Sequence, residues 1–88
     1  MSKIYPQPDV IFQNLEGETV LLNLKTEQYY SLGEVSSRMW SLLIEFGEAE
    51  PVINRMLAEY NVDETVIKSD LNELITDCCE LGLLYVAP

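Results

Sequence analysis

Thr19–Trp40, TVLLNLKTEQYYSLGEVSSRMW, carries two short strands, the turn between them and the start of a helix in 22 consecutive residues. Thr19–Leu24 is an apolar, β-branched run. Lys25, Thr26 and Glu27 supply polar turn residues, and Gln28–Leu32 returns as a second strand. Period-two alternation puts Tyr30 and Leu32 on one face of that strand and Tyr29 and Ser31 on the other. Gly33 then breaks the strand. From Glu34 the apolar residues Val35, Met39, Leu42, Leu43 and Phe46 fall at helical spacing, until Gly47 stops the run. Just upstream, Val10–Leu15 (VIFQNL) reads as a partner strand across Glu16-Gly17-Glu18, where Gly17 accepts the positive φ of a hairpin turn. Residues 10–32 are therefore expected to form a three-stranded antiparallel meander that feeds directly into a helix.

Working outward, residues 1–9 hold Pro6 and Pro8 among polar neighbours and read as an irregular, partly mobile arm. After Gly47 a second helix is expected, with Pro51 in its first turn and Val52, Ile53, Met56, Leu57 and Tyr60 as its apolar stripe. Asp63 reads as the N-cap of a third and longest helix, carrying Val66, Ile67, Leu71, Leu74, Ile75, Cys78 and Leu81 up to Gly82. Leu83–Val86 is a short apolar tail that either returns as a final strand or packs as coil. Three strands followed by three helices over 34–81, joined by short connections, predict an α+β fold of winged helix-turn-helix type. With no repeats, low-complexity tract or linker, residues 1–88 are expected to be one domain.

A chain of 88 residues buries only about 60 to 65% of its unfolded surface, which leaves little room for a deep catalytic cleft. The apolar runs are far too short to span a bilayer, and the start has no basic flank followed by an apolar segment, so a cytoplasmic protein without a membrane role is expected. Fifteen acids against five bases give a net charge of −10, and residues 33–88 hold eleven of those acids and three of the bases. Such a surface repels phosphate backbones and attracts basic segments, although it also serves simple solubility.

Catalytic chemistry finds little to use. There is no histidine, so a nucleophile would need a carboxylate or lysine as its base. The only cysteines, Cys78 and Cys79, are adjacent on a helix, where a bridge between them is badly strained and metal-ligand spacing is lacking. The four glycines each explain a turn or a helix end, which leaves none for a phosphate loop. Asp70 with Glu73 and Asp77 with Glu80 read first as a solvated face. A DNA-reading third helix would be basic, yet Lys68 is the only base on this one. No enzyme, cofactor, metal or nucleic-acid partner is expected. Capture of an extended peptide at the open edge of Gln28–Leu32 is the binding mode that remains.

Over Val10–Leu84 the chain resembles the PqqD-like peptide-recognition domains of ribosomal peptide pathways, especially the free-standing proteins of lasso-peptide clusters. The resemblance rests on Val20-Leu21-Leu22-Asn23-Leu24, Tyr29-Tyr30-Ser31-Leu32, Glu34-Val35, Trp40 to Leu43, Val62-Asp63, Asp70-Leu71, Leu74 and Leu81-Gly82-Leu83-Leu84. Asn23 stands where an aspartate is frequent, and Gly33 where an asparagine often precedes the helix; both exchanges suit a turn. The resemblance implies a RiPP recognition element that catalyses nothing. It would bind a precursor's leader peptide as an added strand in the groove against the third helix, and its other partners would be a cysteine leader peptidase and an ATP-dependent macrolactam synthetase. A PqqD-like carrier for another modifying enzyme, such as a radical-SAM protein, and a winged-helix regulator stand as alternatives.

On that resemblance Gln28, Tyr29, Tyr30, Ser31 and Leu32 would pair with the leader backbone. Tyr29 with Ile67, Asp70, Leu71, Leu74 and Cys78 would form pockets for its side chains. The competing reading of Leu71 and Leu74 is plain core, more so for Tyr30 and Leu32, and Trp40 is read as core. Asp70 is the sharpest polar candidate, as acceptor of a leader N–H or partner of a basic side chain, against the simpler reading of an exposed helix acid. A proline at Tyr30 is expected to weaken binding while leaving the protein folded.

Overall fold

A computed structural model describes residues 2–88. In chain order the elements are β1 (Lys3–Pro6), β2 (Val10–Leu15), β3 (Glu18–Asn23), β4 (Gln28–Leu32), α1 (Glu34–Phe46), α2 (Ala49–Glu59), α3 (Glu64–Glu80) and β5 (Leu84–Ala87). The α+β reading holds: β2, β3 and β4 form an antiparallel sheet in that order, and three helices follow.

Turn chemistry sets the register of this sheet. Leu15 pairs with Glu18, so the first turn has only Glu16 and Gly17 at its centre, and both take positive φ, +52° and +87°. That is the left-handed geometry whose twist matches a two-residue hairpin. The second turn is built by Asn23. Its Oδ1 accepts the backbone N–H groups of Lys25 (3.0 Å) and Thr26 (3.3 Å), and its C=O accepts that of Glu27 (2.7 Å). The Asn23 amide also donates to the carbonyls of Leu81 and Gly82, each at 3.4 Å, tying this turn to the end of α3. An aspartate would keep the turn and lose the two donors. Asn23→Ala is expected to lower stability by about 1 to 2 kcal/mol because part-buried side-chain-to-backbone hydrogen bonds are lost, as read by urea denaturation; Asn23→Asp should fall between the two proteins.

Glycines close α1 and α3, whereas α2 ends at an extended Tyr60. Gly47 closes α1 in the left-handed region (φ +69°) with its N–H on the Leu43 carbonyl. Beyond α3, Gly82 at φ +72° lets Leu83 N–H reach the Cys78 carbonyl (2.8 Å) and Gly82 N–H that of Cys79, a Schellman closure. Asp63 does occupy the N-cap of α3, but its side chain makes no capping bond; its backbone carbonyl accepts from Val66 and Ile67 instead.

The start of the chain departs from the sequence reading, and the tail takes one of its two readings. The arm expected to be irregular forms β1, which pairs antiparallel with β5 from Lys3–Ala87 to Pro6–Leu84; Met1 lies outside the described residues. Of the two readings of the tail, the final strand is the one adopted. Ile4 N–H also bonds to the Gly47 carbonyl, and Tyr5 and Tyr85 stack with centroids 5.5 Å apart. No local signal marks β1, because its partner lies at the far end of the chain.

The core is continuous: Ile4, Leu21, Met39, Trp40, Leu42, Leu43, Val52, Met56, Ile67, Leu71, Cys78, Leu83 and Leu84 are buried together. Phe12 meets the Trp40 indole edge-on at 5.3 Å, which locks α1 onto the sheet. Arg38 donates to both carboxylate oxygens of Glu59 (2.7 and 2.6 Å), joining α1 to the end of α2; this bond holds the Glu59 carboxyl below its ordinary range.

Candidate functional site

β4 is an edge strand, and its backbone phase decides what it offers. Leu24 N–H donates to the Asp9 carbonyl, one step beyond the Val10–Asn23 pair, so the even-numbered residues of β3 direct their backbone groups to β2. The odd-numbered ones, Thr19, Leu21 and Asn23, therefore face β4, as the Glu27-to-Asn23 bond also requires. Their partners are Leu32, Tyr30 and Gln28. This leaves the N–H and C=O groups of Tyr29 and Ser31 directed away from the sheet, two residues' worth of unpaired ladder.

The side chains divide the same way. Tyr29 is 71% exposed, whereas Tyr30 and Leu32 are half-buried against the core. Tyr30 further donates its hydroxyl to the Gln28 side-chain oxygen at 2.7 Å. Because Tyr30 N–H belongs to the β3–β4 ladder, a proline there would disrupt the fold; the position that leaves the ladder intact is Ser31.

Gly33 alone separates β4 from α1, and Ser37 Oγ donates to the Leu32 carbonyl at 3.0 Å, pinning the strand end to the helix. Beside this junction the first turns of α1 and the middle of α3 enclose a groove of about 300 Å³ lined by Val35, Ser36, Met39, Asp70, Glu73, Leu74 and Asp77. Val35 is exposed, Leu74 half-buried, and the three carboxylates lie in the open.

The residues named from sequence are thus brought together in part. Asp70 and Leu74 line the groove together, whereas Gln28 to Leu32 form the edge strand that runs into α1 and none of them lines the groove. Ile67, Leu71 and Cys78 do not: each is buried to within 2% of complete. Leu71 lies on the opposite side of α3, below a second cleft shared with Ala49, Ile53 and Ile75. The apolar stripe of α3 is wider than any one contact, and its Leu71 edge is the one covered by α2. Val35, Ser36, Met39, Glu73 and Asp77 were missed. Glu73 and Asp77 sit three and seven positions after Asp70, and that spacing, on one helix face, was the available signal.

Cys78 belongs to the core chemically as well. Burial, with the neighbouring Cys79 and Asp77, pushes its thiol up to about 11. Burial also raises Cys79, which remains half-buried. Iodoacetamide at pH 8 is expected to label Cys79 first and Cys78 only on unfolding, as read by mass spectrometry. With the folded value raised, the Cys78 contribution to stability is full below the unfolded thiol value near 9 and is lost as pH rises towards about 11.

Residues 18–84 match the family model described as coenzyme PQQ synthesis protein D (PqqD). The chain belongs to the PqqD family. Among solved structures, the PqqD fold recurs in TbiB1 in complex with the TbiA(beta) leader peptide, at 34% identity and TM-score 0.86, covering 91% of this chain and 93% of that one. It recurs also in a lasso peptide synthetase B1 complexed with the leader peptide, at 20% identity and TM-score 0.86, covering 94% and 98%; at that identity the likeness speaks for the fold. No curated protein matches the sequence significantly. Among the described residues no helix of this PqqD-family chain is long and apolar enough to cross a membrane, and no cluster of three or more Cys, Asp or Glu is placed to hold a metal ion.

Proposed function

We propose that this PqqD-family chain is a non-catalytic recognition protein for the leader segment of a ribosomally made precursor peptide of the lasso type. The leader adds to the sheet as a strand beside β4. The observation that carries this is the pair of outward backbone units at Tyr29 and Ser31, open beside a groove that leads off the strand end. Main-chain pairing supplies affinity, and alternate side chains of the guest supply specificity. Guest residues level with Tyr30 point to the helix side and the groove; those level with Tyr29 and Ser31 point to the outer face. The 34%-identical TbiB1, solved with a leader peptide, supports the same occupant. In this reading the protein holds its substrate for a cysteine leader peptidase and an ATP-dependent macrolactam synthetase, and it performs no bond chemistry itself.

The test is a fluorescence-anisotropy titration with labelled synthetic leaders encoded beside the gene. Saturable binding in the micromolar range or tighter is expected. No binding to any of them at tens of micromolar protein would overturn the proposal.

A further inference from the structure

The groove beside β4 has an unusual rim. Val35, Met39 and Leu74 give it apolar walls, while Asp70, Glu73 and Asp77 line its α3 side. None of these carboxylates has a basic partner: the ion pairs among the described residues are Lys3–Glu48, Arg38–Glu59 and Lys68–Glu64. Like charges three, four and seven positions apart on one helix face repel one another, so the arrangement weakens α3 in the free protein. The chain as a whole carries −10, and no lysine or arginine lines the groove to offset the rim. An extended guest is indicated separately by the unpaired edge at Tyr29 and Ser31, on the strand that runs into α1 beside the groove, and TbiB1 was solved in complex with a leader peptide.

We infer that the peptide bound in this groove carries a lysine or arginine at the one position that enters it. The inference rests on the leader-binding reading and adds the chemistry of the guest. A long basic side chain fits both parts of the site: its methylenes lie along Val35 and Leu74, and its charged end reaches the carboxylates, where hydrogen bonds to ionised acceptors are the strong ones. An acidic residue at that position is rejected by repulsion, which supplies discrimination as well as affinity. Asp70, Glu73 and Asp77 are then specificity determinants of the peptide site.

The experiment is a selection of displayed random twelve-residue peptides on the full chain, with a parallel selection on the D70N/E73Q/D77N variant, whose fold is checked by circular dichroism. Because the variant removes repulsion, its melting temperature is expected to be unchanged or higher; should it melt early, D70N and D77N singly make the same comparison. The expected result is enrichment of Lys or Arg by about tenfold, the affinity ratio that 1.4 kcal/mol represents, at one fixed position of the selected family. The enrichment should vanish with the variant and shrink in 0.5 M NaCl. Enriched peptides with no basic position, or the same basic preference on the variant, would overturn this inference and leave leader binding standing. Failure to enrich any peptide family would overturn leader binding itself.

Discussion

Ser31→Pro is expected to fold normally and to bind leader peptide about ten- to a hundredfold more weakly, the equivalent of roughly 1.4 to 2.8 kcal/mol. The Ser31 N–H points away from β3, so the pyrrolidine ring removes no ladder bond; edge strands tolerate proline in that orientation. The residue before it, Tyr30, is already extended, as a proline demands of its predecessor. What disappears is one of the two outward donors, and the ring also occupies the path along which a guest strand must approach. Tyr30→Pro is the informative opposite. Tyr30 pairs with Leu21, the fully buried centre of β3, so its N–H belongs to the ladder, and the variant is expected to melt at markedly lower temperature. Anisotropy and thermal denaturation on the two variants separate the roles. Unchanged affinity in a folded Ser31→Pro protein would rule out strand addition at β4.

The largest stability effect is expected at Trp40. Its indole is 1% exposed, central to the core and in edge-on contact with Phe12. Trp40→Ala leaves a cavity and breaks the joint between α1 and β2, a loss of about 3 to 5 kcal/mol. In a domain of this size that amounts to roughly 15 to 30 °C in melting temperature. Trp40→Phe should be far milder, because Nε1 is buried without a hydrogen-bond partner and its removal relieves an unsatisfied donor. Melting followed by far-ultraviolet circular dichroism, which does not depend on the lost fluorophore, checks both. A Trp40→Ala protein that melts within a few degrees of the parent would show that the indole is not the joint.

The two classes of prediction draw on different properties of the same 22 residues from Thr19 to Trp40. Period-two alternation set the faces of β4 correctly, with Tyr29 outward and Tyr30 and Leu32 inward, because a pleated backbone leaves a side chain no other choice. Alternation is silent on which residues have free N–H groups. That depends on pairing phase, fixed by the two-residue turn at Glu16-Gly17 and the Asn23-built turn after β3. For this reason the sequence placed the disruptive proline at Tyr30, one residue away from where the structure puts it.

By itself the sequence determined the meander, the three helices, the glycine-terminated ends of α1 and α3 and the acidic character of α3, all of which are encoded within a few residues of where they act. Only the tertiary structure decided what depends on distant partners. β1 exists because β5 returns from the other end of the chain to pair with it, which neither strand announces locally. Leu71 and Leu74 both belong to the apolar stripe of α3, three positions apart, and no periodicity distinguishes them. The packing of α2 covers Leu71, while the start of α1 leaves Leu74 at the groove with Asp70, Glu73 and Asp77. Ile67 and Cys78 went to the core for the same reason: a helix stripe specifies what is buried, and the angle at which neighbours cross it specifies which edge stays open.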